Sequence, residues 1–420
     1  MAADTERSGL PRGRRRAGPG GLRRAGRLRE LLVSGVVDSF GMALGWTVLV
    51  LLALSRGGLA EAALYNAAML AGVVLSAPVT GWISRRFAGR ALLRGAASIE
   101  IVLRVAVLWA LIAGLPDWLI AGGVVIMHVA AWAGFAGMRA EVTAVAPGAK
   151  AMTRYALCIA AVEAAGTGLA ALLPAGVRGH PTGWTLIAVF VVYAGSLIPT
   201  MVSARRARIT PYATAGHRST PRRFVTRRQS AVSPRLLLAG GAIMLLASGP
   251  TLLAVPLTTE LHGRVWVAGA AAAFSIGCLL AALAVDLVGR LRLPTVLRWS
   301  LWGMGMLVGW LFAATYAYTV LFAQFFAGVA QTAFEGDMDA RVAEEAAPQA
   351  VTTALAYSAA TRALGGATAV KLLPILVTAQ AIGTAASGAL LVLGAAALVI
   401  WAVTVVPRLS ARAPAEPAHP

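Results

Sequence analysis

Between residues 31 and 406 the sequence runs in apolar stretches of about 20 residues, the length at which an α-helix crosses the ~30 Å hydrocarbon layer of a bilayer. Short arginine-bearing gaps separate them. In lipid every backbone N–H and C=O has to be satisfied within the protein, so a chain patterned this way folds as a bundle of spanning helices. Twelve stretches are predicted: residues 31–53, 62–83, 92–113, 118–138, 152–174 and 183–203, then 236–257, 265–287, 295–314, 317–336, 351–374 and 381–406. The expected fold is an all-α integral membrane protein of twelve transmembrane helices in two six-helix halves.

Residues 205–235 part the halves. This segment holds nine arginines and is broken by Pro211, Pro221 and Pro234, with no apolar period from which to build a core. The expected domains are a basic tail over 1–30, a first bundle over 31–203, a basic linker over 204–235, a second bundle over 236–407 and a C-tail over 408–420. Residues 1–30 carry too many arginines for a signal-peptide n-region, and no small-residue cleavage site closes the first apolar run, so the tail is expected to be retained.

The chain is 58% hydrophobic and 13% charged with a mean hydropathy of +0.75, too apolar for a soluble domain of this size. A net charge of +20 raises the question of a nucleic-acid partner. The distribution argues against one: the arginines sit in gaps between apolar stretches, with only Tyr212 and Phe224 available for stacking in the polar segments. Arg85, Arg86, Arg90 and Arg94, then Arg139, Lys150 and Arg154, then the linker, then Arg290, Arg292 and Arg298 occupy alternate gaps. The intervening gaps hold only Arg56, Arg178, Arg264 and Lys371. By the positive-inside rule both termini and the linker are expected in the cytoplasm, with the polybasic segments facing anionic lipid. Cys158 and Cys278 both lie in apolar stretches, so neither a disulfide framework nor a metal centre is expected.

The two halves echo one another at an offset of 199 or 200 residues. Gly89 and Arg90 answer to Gly289 and Arg290, Phe135 to Phe334, Met138 to Met338, Gly166 to Gly365, and Leu172, Leu173 and Pro174 to Leu372, Leu373 and Pro374. An even number of helices per unit makes this a parallel repeat about an axis along the membrane normal. The gap after the second stretch places Gly81, Arg86 and Arg90 as in the loop motif of the major facilitator superfamily. Arg85 stands at that motif's acid, Ala88 at its second glycine and Gly89 at its first closing arginine. A second copy keeps Asp286, Gly289 and Arg290 but has Ala282 and Leu287 elsewhere. On these residues the chain resembles a major facilitator permease over essentially all but its tails, and looks like the drug and metabolite efflux branch.

A charge at mid-bilayer costs on the order of 2.5–3.5 kcal/mol on insertion scales, so each one asks for a reason. Asp38 lies in the first stretch, where it either pairs with a nearby arginine or, as the resemblance to proton antiporters implies, titrates. Glu100 and Arg104 stand at i and i+4 and are expected to form a structural ion pair. Glu163 and Arg362 occupy equivalent mid-helix positions and are expected to face the cavity or the interface between halves, either meeting each other or satisfied locally. These and Asp38 are the candidates for proton coupling. The resemblance implies that Trp46, His128, Gln324 and Gln331 line a substrate cavity; interhelical hydrogen bonding is the plainer reading.

Glu335, Asp337, Asp339, Glu344 and Glu345 form an acidic group on a basic face. Read as Mg²⁺ ligands they would suggest a membrane transferase, but no second carboxylate set follows. The expectation is a cytoplasmic gate in which Asp337 and Asp339 meet Arg86, Arg90 and Arg290, with Asp286 alongside. The GxxxxGK[ST] pattern is absent, and no cofactor or metal is expected. The sequence thus points to a monomeric secondary transporter of the cell membrane, whose partners are a small amphipathic molecule, protons and the lipid bilayer. Efflux by proton antiport leads, uptake by symport follows, and a membrane enzyme or a non-transporting scaffold are the readings from other classes.

Overall fold

The computed structural model describes residues 19–146, 149–176, 179–207, 233–345 and 351–410. Most of the linker and both ends of the chain lie outside them. Helices occupy nearly all of the described residues. In the first half α1 (Pro19–Arg86), α2 (Gly89–Ile112), α3 (Asp117–Val145) and α4 (Ala149–Leu172) precede α5 (Gly183–Gly195) and the short α6 (Ile198–Ser203). The second half opens with α7 (Pro234–Ala247), α8 (Gly249–Leu252) and α9 (Ala254–His262). It continues with α10 (Val265–Gly289), α11 (Thr295–Val308), α12 (Ala317–Glu345), α13 (Val351–Leu376) and α14 (Ile382–Ser410).

Seven segments are long and apolar enough to cross a membrane, the first of them running 58 residues from Gly26 to Ile83. At 1.5 Å per residue that is about 87 Å, far beyond one ~30 Å hydrocarbon layer. The chain breaks it at Gly57 and Gly58, where Gly58 takes φ 65°, a backbone region that a residue with a Cβ enters at a cost. Arg56 then bonds to Glu61 at 2.9 Å and to Asp117 at the start of α3, and Tyr65 donates to Glu61 at 2.7 Å, so the turn is held by ion pairs at its tip. α1 is therefore two antiparallel arms.

The run from α7 to α9 is interrupted near Ser248 and Leu253, flanking Pro250. Proline lacks the N–H that would bond the Leu246 carbonyl four residues back, and next to the break the Ser248 hydroxyl adds a bond of 2.6 Å to the Met244 carbonyl, which the Ser248 N–H also reaches. Two apolar cores result. One gathers Leu44, Val48, Leu49, Tyr65, Leu108, Val124, Met127 and Tyr193 in the first half. The other joins Met244, Leu253, Trp299, Trp310, Phe334 and Val370 of the second half to Ala63, Leu70 and Val73 of the second arm of α1.

Exposed Trp109, Trp118, Trp184, Tyr316 and Tyr318 lie at the far end of the bundle, opposite the linker, and exposed Trp82, Tyr357 and Trp401 lie toward the linker end, as side chains with an apolar body and a polar tip do at both membrane surfaces. Hydrogen bonds between halves lie at the far end and at mid-depth. Arg264 Nη2 donates to the Leu173 carbonyl at 2.6 Å, the Leu59 N–H to the Glu260 carboxylate, and Ser275 to the Ala160 carbonyl at 3.1 Å. At the linker end the two buried clusters, around Met138 and Tyr155 and around Leu92 and Ala204, belong wholly to the first half.

Candidate functional site

The first arm of α1 carries Gly35, Gly41 and Gly45 on one side. A Cβ at Gly35 would meet the Tyr155 ring at 2.7 Å, and at Gly41 or Gly45 it would overlap Ser196 or Tyr193. With no side chains in the way, the backbone of α1 lies against α4 and α5, and Asp38, set among these glycines, is delivered to the meeting point of three helices. α2 brings Arg104 to the same point.

Arg104 is fully buried and spends its whole donor set there. Nη2 donates to Asp38 Oδ1 at 2.7 Å and also to Glu100 Oε1; Nε donates to Glu100 Oε1 at 2.9 Å. Nη1 donates to the Tyr193 carbonyl at 2.7 Å and to Ser196 Oγ at 2.9 Å, and the Tyr193 ring lies 4.9 Å from the guanidinium carbon. All five N–H groups of the guanidinium are thereby engaged. Glu100 and Arg104 form an ion pair within α2, and Asp38, 66 residues away in sequence, joins it. The side chain of Asp38 keeps 29% of its surface open, against 3% for Glu100. Two carboxylates therefore share one cation, and the more open of them is Asp38.

Glu163 is also solvent-accessible. Cys158, Leu169 and Leu172 are exposed on α4 too, and at 100° per residue Glu163 points about 120–180° away from them. Its exposure is therefore to the interior and not to lipid. Arg139, seated over the Phe135 ring at 4.4 Å, lies within electrostatic range of Glu163 and of Glu335 and Asp339 in the other half.

Arg362 does not meet Glu163. Its Nη1 donates to Asp339 Oδ1 at 2.6 Å and to Ser358 Oγ at 3.2 Å, and Nη2 to Asp339 Oδ2 at 3.3 Å. Equal depth in a parallel repeat puts residues at one level on opposite sides of the axis, and Arg362 finds its acid on the neighbouring α12 instead. The expected gate contacts are replaced in the same way. Asp337 takes both Nε and Nη2 of Arg298 at the start of α11. Asp339 is held by Arg362 and by Ser358 Oγ at 2.9 Å. Arg86 lies over the Trp82 ring at 4.4 Å, while Arg90, Asp286 and Arg290 are exposed. Asp337 and Asp339 thus have their bonded bases within their own half. A sequence signal for this existed: Arg139 and Glu141 correspond at an offset of 200 to Asp339 and Arg341, the same repeat with its charges inverted.

Trp46 and His128 are brought together with rings 4.8 Å apart and near perpendicular; His128 is buried and bonds through Nδ1 to the Val124 carbonyl at 3.0 Å. Gln324 is buried with its amide nitrogen unpartnered, whereas Gln331 donates to Glu335 at 3.1 Å. The two glutamines, a helical face apart in sequence, thus meet different surroundings.

No protein-family model matches the sequence, and no curated protein does. Solved structures do match its fold. The nucleoside transporter NupG superposes with a TM-score of 0.67 at 12% identity, covering 89% of this chain and 99% of that one. The xylose transporter XylE from E. coli, in an inward-open conformation, gives 0.64 at 13%, covering 90% and 96%. A structure described for proton-dependent oligopeptide transporters gives 0.60 at 13%, covering 92% and 99%. The chain shares the fold of these structures. At these identities the likeness is one of architecture, carried over nearly the full length of each chain.

Proposed function

We propose that the chain is a secondary transporter with twelve crossings, six in each half, and with its termini and linker in the cytoplasm. It moves a small amphipathic organic molecule by alternating access and couples that movement to protons. The observation that carries the reading is the Asp38–Arg104–Glu100 cluster. Two ionised carboxylates against one guanidinium would leave a net charge of −1 below the membrane surface, where an uncompensated ion is costly. A proton on Asp38 removes that charge and its release restores it, so occupancy of Asp38 shifts the balance between two arrangements of the halves.

The state described here supports a cavity open toward the linker end, because bonds from α9, from Arg264 and from α10 join the halves at the far end and at mid-depth. Glu163, reached from the interior, is a second carboxylate for the proton or for a positive group on the substrate. Trp46 and the unpartnered amide of Gln324 offer an aromatic face and a hydrogen-bond donor. Export in exchange for protons is the proposed direction. Uptake by symport is the second reading, favoured by the shared fold of structures named for xylose and proton-dependent peptide transport.

Reconstitution in liposomes with an imposed pH gradient tests both. Substrate addition should dissipate the gradient, and Asp38→Asn should abolish the proton movement while leaving substrate counterflow. Wild-type proton coupling in that variant would remove Asp38 from the mechanism. The sign of the proton movement separates export from uptake, and its absence with every compound tested would favour a non-transporting scaffold.

A further inference from the structure

A small cavity of about 20 Å³ lies beside Asp38, and its walls include Ser39, Glu100, Tyr155 and Thr200. That volume suits about one water-sized occupant. Thr200, on α6, is 5% exposed, and its hydroxyl has no partner in the protein. Arg104 takes only Oδ1 of Asp38 and Oε1 of Glu100, and it has no N–H left for their second oxygens. The cavity is thus bordered by unspent oxygens, a hard donor set, and, when both carboxylates are ionised, by a charge of −1.

A neutral water would fit the space but leave that charge standing. A divalent ion would overshoot it, and no group of three or more His, Cys, Asp or Glu side chains arranged for a metal occurs among the described residues. We propose that this cavity binds one monovalent metal cation of the size of Na⁺, held by the second oxygens of Asp38 and Glu100 and by the Thr200 hydroxyl, in competition with a proton for Asp38. The proposal rests on Asp38 as the coupling carboxylate and deepens that reading by naming a second coupling ion. The charged and titratable groups around Asp38 are Arg104 and Glu100 of α2, Tyr193 of α5, and Tyr155 and Glu163 of α4. Of the carboxylates among them, only Glu100 borders the cavity.

Binding to the folded state raises the unfolding temperature by mass action, which gives a readout independent of any transported substrate. The purified full-length chain in detergent is melted in NaCl and in choline chloride at equal ionic strength, at alkaline and at acid pH, and equilibrium binding of radioactive Na⁺ is measured alongside. Expected are a higher melting temperature in Na⁺ at alkaline pH, a smaller increment at acid pH, and saturable Na⁺ binding displaced by protons. Thr200→Val should weaken Na⁺ binding at least about tenfold, the loss of one ligand, while Thr200→Ser keeps it. Equal melting in the two salts together with no saturable Na⁺ binding by the wild-type protein would overturn the proposal, whether or not the variants fold. Na⁺ binding unchanged in Thr200→Val would overturn the assigned ligands. Proton coupling lost in Asp38→Asn alongside a silent Na⁺ assay would leave the transporter reading standing and remove only the metal site.

Discussion

The two halves bury charge in opposite ways. In the second half two acids of α12 each have a base of their own, Asp339 with Arg362 and Asp337 with Arg298. In the first half Asp38 and Glu100 divide a single Arg104. A matched pair has its electrostatics settled, and its work is to hold helices together. An unmatched carboxylate keeps an affinity for any small cation that reaches it. Under the proposed function the contrast gives ion coupling to the first half and cohesion to the second, and it can be broken experimentally.

The largest effect is expected from Arg104→Gln. Removing the guanidinium strands two carboxylates, and breaking a buried ion pair costs about 3–5 kcal/mol. The yield of monodisperse protein and its melting temperature should fall sharply, and adding Asp38→Asn and Glu100→Gln should restore much of both. Next come the two acids separately. Asp38→Asn should abolish proton coupling with stability within about 1 kcal/mol of wild type, because the excess charge disappears with it. Glu100→Gln, the same change on the buried partner, should leave coupling measurable, since Asp38 remains. If both variants couple alike, the open carboxylate is not the special one. Glu163→Gln should leave the melting temperature unchanged and reduce proton-coupled transport severalfold. A fall in stability would show a structural bond there instead. The smallest effect on coupling belongs to Arg362→Gln: stability should drop by about 1–3 kcal/mol, because Asp339 and Ser358 lose their donor, while proton movement per substrate stays as in wild type. Loss of coupling in this variant would dissolve the contrast between halves.

The architecture was legible in the sequence because the bilayer imposes a length on every apolar stretch, and helices lie on each of the stretches the pattern marks. The ion pair within α2 was legible as well, since i and i+4 are neighbours on any helix. The link from Asp38 to Arg104 was not. It spans 66 residues and depends on three glycines that let α1 approach, and no local pattern states which side of a helix a distant helix will choose. The pairing of Glu163 with Arg362 was read from depth alone, and depth omits direction around the axis. The pairing of Asp337 with Arg298 was missed for a related reason: a helix end meets its sequence neighbour in space more readily than a loop across the cavity. The inverted charges at Arg139 and Glu141 against Asp339 and Arg341 were present in the repeat and carried the missing information.

The glycine contacts of α1 also fix what Asp38 is able to do during a cycle. With Gly35 seated on Tyr155, Gly41 on Ser196 and Gly45 on Tyr193, this arm packs closely against α4 and α5. In the proposed cycle the first half moves as a unit, and the distances from Asp38 to Arg104 and Glu100 stay fixed. What changes through the cycle has to be the side from which solvent reaches it, set by the second half as it withdraws from one end or the other. In the proposed cycle ion chemistry is the task of the first half, and timing that of the displacement of its neighbour. A bulkier residue at Gly41 would disturb the first without touching the second.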